Sequence, residues 1–136
     1  MKKTHKINIR VRYGETDKMG VVYHGNYAQY LEVARVEWLR DLGVSYRWME
    51  ENGVMLPVTS LQIKYLNPAR YDDLLTVVVT LVKTPGVRIE FNYEILDEKK
   101  QKIVEANTVL AFISTDTGRP VRCPEYILDK LTQEVE

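Results

Sequence analysis

Hydrophobic and polar residues alternate over residues 6–12, with Ile7, Ile9 and Val11 on one side and Lys6, Asn8, Arg10 and Arg12 on the other. That period of two predicts a half-buried strand. From Tyr27 the period changes. Tyr27, Tyr30, Leu31, Ala34, Trp38 and Leu42 recur at the spacing of one helical face. Asn26 is placed as the N-cap, Gln29 completes a capping box, and Gly43 is placed as a left-handed stop. A helix over residues 27–42 spans about 24 Å, enough to cross a small sheet.

Ser45 predicts the cap of a short second helix through Glu51, ending near Gly53. Strands follow. Leu61, Ile63 and Tyr65 alternate with Gln62 and Lys64 between Pro57 and Pro68. Residues 74–82 are almost continuously apolar and β-branched, as expected of a central strand covered on both faces. Lys83-Thr84-Pro85-Gly86 reads as a turn. Val87, Ile89, Phe91, Tyr93 and Ile95 make the cleanest alternation, and residues 103–113 predict a last long strand after a turn at Asp97–Gln101. Pro124 fits the first position of a closing helix that carries Tyr126, Ile127, Leu128 and Leu131. Short turns make antiparallel neighbours, and one long helix has one sheet face to pack on. The expectation is a single α+β domain over residues 1–136, with an antiparallel sheet wrapped on a central helix. Val78 and Leu110 are assigned to the sheet's second face, whose need for cover predicts a dimer or larger oligomer.

Composition narrows the function classes. The chain has 136 residues, 45% hydrophobic and 28% charged, with 19 Lys+Arg against 19 Asp+Glu. A net charge of zero gives no global attraction to nucleic acid. No apolar run is long enough for a membrane span. The one cysteine, Cys123, has no internal disulfide partner, which predicts a cytoplasmic protein. Two histidines without metal-ligand spacing predict no metal site. His5 reads as a surface residue, and Cys123, with no histidine placed for it, as a non-nucleophile. No glycine-rich phosphate loop is present.

Chemistry concentrates in residues 13–27, YGETDKMGVVYHGNY. A carboxylate, a histidine and a helix N-terminus fall within ten residues there. First-turn amides have no intrahelical partner and sit at the positive end of the dipole, so they suit a developing oxyanion. Asp17 is positioned to serve as nucleophile or as base toward water. His24 is placed to orient a carbonyl, position water or shuttle a proton. On residue type alone, a turn role for Asp17 and a structural role for His24 stay open.

This segment resembles the signature of the 4-hydroxybenzoyl-CoA thioesterase family of hot-dog-fold proteins, especially its Tol–Pal-associated bacterial acyl-CoA thioesterase branch. The matching residues are Tyr13, Glu15, Thr16, Asp17, Gly20, Val21, Val22, Tyr23, His24, Asn26, Tyr27, Glu32, Ala34 and Arg35. The resemblance implies a five-stranded antiparallel sheet around a long central helix, and hydrolysis of acyl-CoA thioesters without a cofactor beyond the substrate's own coenzyme A. It implies Asp17, His24 and Tyr13 as the catalytic group. Tyr23, Gly25, Asn26 and Glu32 would hold the oxyanion or substrate, with Glu32 also the reserve carboxylate. Lys64, Arg70 and Arg88 are the first candidates for the CoA phosphates, with Arg119 and Arg122 behind them. Arg35 is expected to pair with a carboxylate or carbonyl. Tyr27, Tyr30 and Trp38 read as core, some of them lining an acyl pocket with Leu31, Met55 and Leu61. Two other functions fit the same fold, a dehydratase of hydroxyacyl thioesters and a non-catalytic acyl-CoA-binding module. The dehydratase pattern, a His-Phe-Pro start with Pro-Gly following, is absent here.

Overall fold

Leu75, Val77, Val79 and Leu81 are fully buried while the residues between them are half-buried, so one strand states which way the sheet faces. The computed structural model describes residues 4–133. Strand β1 (Thr4–Arg10) leads through two 3-10 turns, Tyr13–Glu15 and His24–Asn26, to helix α1 (Tyr27–Leu42). Then come α2 (Tyr46–Glu51), β2 (Val54–Met55), β3 (Val58–Tyr65), β4 (Leu74–Leu81), β5 (Arg88–Leu96), β6 (Lys102–Ala111), β7 (Ile113–Ser114) and α3 (Glu125–Gln133). Five strands form one antiparallel sheet in the order β1-β4-β5-β6-β3. One row across it reads Ile7, Val77, Ile95, Val104, Tyr65. All are inner-face residues, so Tyr65 ends the row at the sheet's edge.

Helix α1 lies on that inner face, nearest β1 and β4. Its predicted stripe is buried, with Leu39 and Arg35 added, and Trp38 meets Phe91 edge-on at 5.0 Å. Gly43 ends the helix with φ +100°. That is a left-handed conformation that any side chain would strain. Ser45 caps α2 by accepting from the Trp48 amide at 3.2 Å.

Five expectations need correction. Asn26 does not cap α1: its backbone is already helical and its side chain is used elsewhere. Leu110 faces inward opposite Ile89 and is fully buried, and the outer face instead carries Glu90, Asn92, Glu94, Glu105 and Asn107. Val78 does stand on that face, opposite Lys6 and Glu94, among these mostly polar neighbours. The central strand β4 is correspondingly covered on one face only. The long last strand is two: Phe112 turns into the core, its amide bonds Val87 at 3.0 Å, and Ile113–Ser114 pairs with β2 instead. Pro124 stands one residue before α3 and its carbonyl accepts from Ile127 and Leu128.

Exposed apolar surface gathers on β3. Helix α1 leaves this edge strand uncovered, and Val58, Leu61 and Tyr65 are 43%, 45% and 50% exposed. Leu61 and Tyr65 belong to the inner face by register, opposite Thr108 and Val104.

Candidate active site

The loop between β1 and α1 is a small hairpin. Thr16 bridges Val22, the Asp17 amide donates to Val21 at 2.9 Å, and Gly20 takes φ +78° to close the turn. Oδ1 of Asp17 accepts from the Met19 amide at 2.8 Å, which orients the carboxyl. The hairpin is pinned to the β3–β4 connection by the Val22 amide on Ala69 at 2.8 Å and by a bridge between Val21 and Arg70.

Glu15 fixes this loop to the start of the helix. Its carboxylate accepts from the Arg12 amide (2.8 Å), the Arg12 guanidinium (3.0 and 3.2 Å) and the Tyr30 hydroxyl (2.9 Å). Burial raises its pKa, but the Arg12 amide, the Tyr30 hydroxyl and the Arg12 guanidinium together outweigh that and hold it below the usual 4.5. Its backbone carbonyl takes two more donors, the Tyr23 amide at 2.9 Å and Nδ2 of Asn26 at 2.8 Å. Tyr30 responds in the opposite sense: burial, then its bond to Glu15, push the phenol well above 10. Glu15 is thus a positioning residue. The sequence pattern contained it, yet only its neighbour Asp17 carried a chemical argument, because nothing local showed that six donors would converge on it.

These supports bring Asp17 and His24 to one open cavity of about 340 Å³, lined also by Val21, Val22, Tyr27, Tyr65, Leu66, Asn67 and Pro68. Its wall is aromatic. The His24 ring lies 4.4 Å from Tyr23 and 6.1 Å from Tyr65, and Tyr27 lies 5.7 Å from Tyr65. The Tyr65 hydroxyl donates to the His24 carbonyl at 3.4 Å. Burial raises the Tyr27 pKa, so its phenol stays protonated. The Asn26 amide is taken by Tyr23 and the Tyr27 amide by His24. Among the described residues the His24 and Gly25 amides donate to no carbonyl, which makes them the available anion donors of this turn. Gly25 also fits closely: a Cβ there would lie 2.8 Å from Cε2 of the half-exposed Tyr23 ring, which would have to move.

Not every predicted residue arrives here. Tyr13 is 77% exposed and packs edge-on against Tyr71 at 5.6 Å, away from the cavity lining. Glu32 is exposed on α1, its charge acts on Tyr46, and it does not line the Asp17 cavity. Asn26 contributes structure, not an anion donor. Lys64 points to the outer face beside Glu105. Arg88 faces Ala111, seven positions along β5 from the Ile95–Val104–Tyr65 row, about 23 Å away. Arg70 is beside the cavity, but the adjoining hollow it lines also holds Asp73, Asp97, Glu98 and Lys99, an unfavourable balance for phosphate. Arg119 and Arg122 line none of these surfaces. No carboxylate among the described residues forms an ion pair with Arg35, whose charge acts instead on the buried Tyr93 hydroxyl. His5 is half-buried, 3.5 Å from Asp41. Burial pushes the Cys123 thiol up to about 12, which leaves it inert. Among the described residues no three His, Cys, Asp or Glu side chains converge as a metal-ligand set. None of their helices is long and apolar enough to cross a membrane.

The sequence profile of the Thioesterase-like superfamily matches residues 11–131. The chain belongs to that superfamily. YneP of Bacillus subtilis, described as a candidate acyl-CoA thioesterase, is 32% identical over 117 residues, covering 86% of this chain and 85% of its own. The acyl-CoA thioesterase YbgC of Haemophilus influenzae is 32% identical over 120 residues, covering 88% of each. Among solved structures, a DHNA-CoA thioesterase from Staphylococcus aureus superposes with a TM-score of 0.89 at 37% identity, over 97% of this chain and 91% of that one. These neighbours share the hot-dog thioesterase fold, with its five-stranded antiparallel sheet and long helix. Membership thus places the hairpin and the turn before α1 in a fold used for thioester chemistry.

Proposed function

We propose that this chain is an acyl-CoA thioesterase in which Asp17 carries hydrolysis and the His24–Gly25 turn stabilises the oxyanion. The observation that carries the reading is that Asp17 and His24 line one aromatic-walled cavity beside a turn whose His24 and Gly25 amides donate to no carbonyl among the described residues. The related YbgC and YneP proteins are named for the same activity.

In the base route, Asp17 takes a proton from a water whose oxygen attacks the thioester carbonyl. Negative charge then develops on the carbonyl oxygen, where the His24 and Gly25 amides and the His24 ring stabilise it. The C–S bond breaks as the oxyanion collapses, and coenzyme A leaves as a thiolate. In the nucleophile route, the Asp17 carboxylate itself attacks, the thiolate leaves, and water cleaves the resulting mixed anhydride. Both routes use the same placement of Asp17. A thiolate has a conjugate-acid pKa of about 8.5, so it departs without strong acid assistance. The reaction therefore asks for no metal and no cofactor beyond the substrate's own coenzyme A.

The same reading assigns a homodimer as the smallest working unit. An uncovered edge strand with Val58, Leu61 and Tyr65 exposed is a template for pairing with a second β3. Tyr65 belongs both to that strand and to the cavity, so a second copy there would wall the site. A tetramer would add a further contact to that dimer. Of the basic candidates, Arg70 stands nearest the cavity, bridged to Val21, and the acidic hollow beside it argues for a phosphate contact from elsewhere, such as a second copy. The lone buried thiol is the cysteine usage of a reducing, cytoplasmic compartment. Thiol release from a panel of acyl-CoA esters tests the function. Tight acyl-CoA binding without turnover would favour the binding-module reading instead.

A further inference from the structure

Asn67 lines the Asp17 cavity, and its side chain is held in one orientation. Nδ2 donates to the Lys102 carbonyl at 2.7 Å, the backbone amide donates to the Ile103 carbonyl at 3.2 Å, and Pro68 follows. A carboxamide carries donor and acceptor on one planar group, so fixing the nitrogen fixes the oxygen. Among the described residues no donor reaches that oxygen, Oδ1. Half-buried Asn67 thus combines a fixed donor with an unpartnered acceptor. Such an acceptor loses its water when a ligand fills the site, and it then calls for a donor on the ligand.

The backbone places this residue beside the histidine of the site. Val21 bridges Arg70 and the Val22 amide bonds Ala69, so that antiparallel register puts position 67 opposite His24. Apart from Asp17 and His24 the cavity lining carries no titratable group but the Tyr27 and Tyr65 phenols, and no Lys or Arg. A carboxylate without a cation is a poor place for the phosphates of coenzyme A. It suits the neutral pantetheine arm that joins them to the sulfur. The first amide N–H of that arm stands four bonds from the thioester carbon, a reach close to the spacing of adjacent strands, about 4.8 Å. A carbonyl polarised at His24 therefore puts this N–H within range of position 67.

We propose that Asn67 is a specificity residue for the thiol half of the substrate: its Oδ1 accepts the first amide N–H of the pantetheine arm and selects thioesters that carry one. The inference rests on the thioesterase reading of the Asp17 cavity. The test uses the hexanoyl thioesters of N-acetylcysteamine and of 2-acetoxyethanethiol, which differ by an N–H against an oxygen at that one position. Thiol release gives kcat/KM for each, divided by its uncatalysed rate with hydroxide. The wild type is expected to prefer the amide by at least about threefold, within the range of one neutral hydrogen bond. Asn67→Ala should bring the ratio to about one. A purely structural role, or a role in holding the attacking water, lowers both thioesters alike and leaves the ratio where it was. Equal rates in the wild type, or a preference that survives Asn67→Ala, would overturn the proposal. Should Asn67→Ala fail to fold, Asn67→Asp keeps an acceptor oxygen and must keep the preference; its loss there would overturn the proposal as well. A wild type that releases no thiol sinks the hydrolase reading, and dissociation constants of the same two thioesters from NMR titration then decide about Asn67. Tighter binding of the amide by at least about threefold, erased in Asn67→Ala, leaves the contact standing, and equal constants remove it.

Discussion

The Tyr30 hydroxyl donates to Oε1 of Glu15 across 2.9 Å, and through this bond the second residue face of α1 holds the loop that carries Asp17. Tyr30→Phe keeps the ring in the core and removes only that donor. A hydrogen bond to a buried charged group is worth about 1.5–3 kcal/mol, so the variant should melt earlier by a corresponding amount. Its kcat/KM should fall too, because the same glutamate's carbonyl holds the Tyr23 amide and the Asn26 side chain. Thermal denaturation and thiol release on one preparation check both.

Acid should expose the role of Glu15. Its folded pKa lies below 4.5, depressed by donors that exist only in the native state. A depressed carboxylate contributes stability that is present in full above its unfolded pKa and is lost as pH falls through the folded one. The contribution is therefore intact at neutral pH and disappears below about 4.5. Glu15→Gln, which cannot titrate, should be less stable at pH 7 and should show a shallower loss between pH 5 and 3 in urea titrations.

Gly25 and Tyr23 should be coupled. A methyl at position 25 meets the Tyr23 ring at 2.8 Å, and the half-exposed ring is free to swing away. Gly25→Ala is thus expected to reduce kcat/KM several-fold with little change in stability, because it disturbs the turn beside the cavity whose His24 and Gly25 amides donate to no carbonyl among the described residues. Adding Tyr23→Ala removes the clash. The double variant should recover activity relative to the sum of the single losses, and strict additivity would disprove the coupling.

Leu61 tests the edge strand. Leu61→Lys places a charge on an inner-face position that the single chain leaves 45% exposed. The monomer should fold normally, since no core contact is lost, while sedimentation should show the dimer dissociating and thiol release falling with it. A variant that stays dimeric would remove β3 as the interface.

The elements were legible in the sequence wherever one face is buried and the other wet. Residues 27–42 and the alternation through Ile89, Phe91, Tyr93 and Ile95 are such cases, and the αL stop at Gly43 follows from its chemistry. Leu110 was misplaced because a register, not a pattern, decides which face an apolar residue takes; Ile89 opposite it settles the matter. The break at Phe112 depends on a hydrogen bond to Val87, twenty-five residues away. At the site, Asp17, His24 and Gly25 were legible as one short segment. The exclusion of Tyr13 and Glu32 was not, because it depends on Tyr71 and Tyr46, which no local spacing brings near. Glu15 was present in the motif, but its partner Tyr30 lies fifteen residues away on α1.

The central claim is that the Asp17 carboxylate carries thioester hydrolysis. Asp17 is exposed, and Asn in its place keeps an oxygen able to accept from the Met19 amide, so the loop should survive the substitution. Thiol release from acyl-CoA esters by wild type and Asp17→Asn, measured side by side with their melting temperatures, is the direct test. An active wild type and an equally stable variant slowed by about a hundredfold or more in kcat/KM is the predicted result. Undiminished activity in the variant would contradict the account.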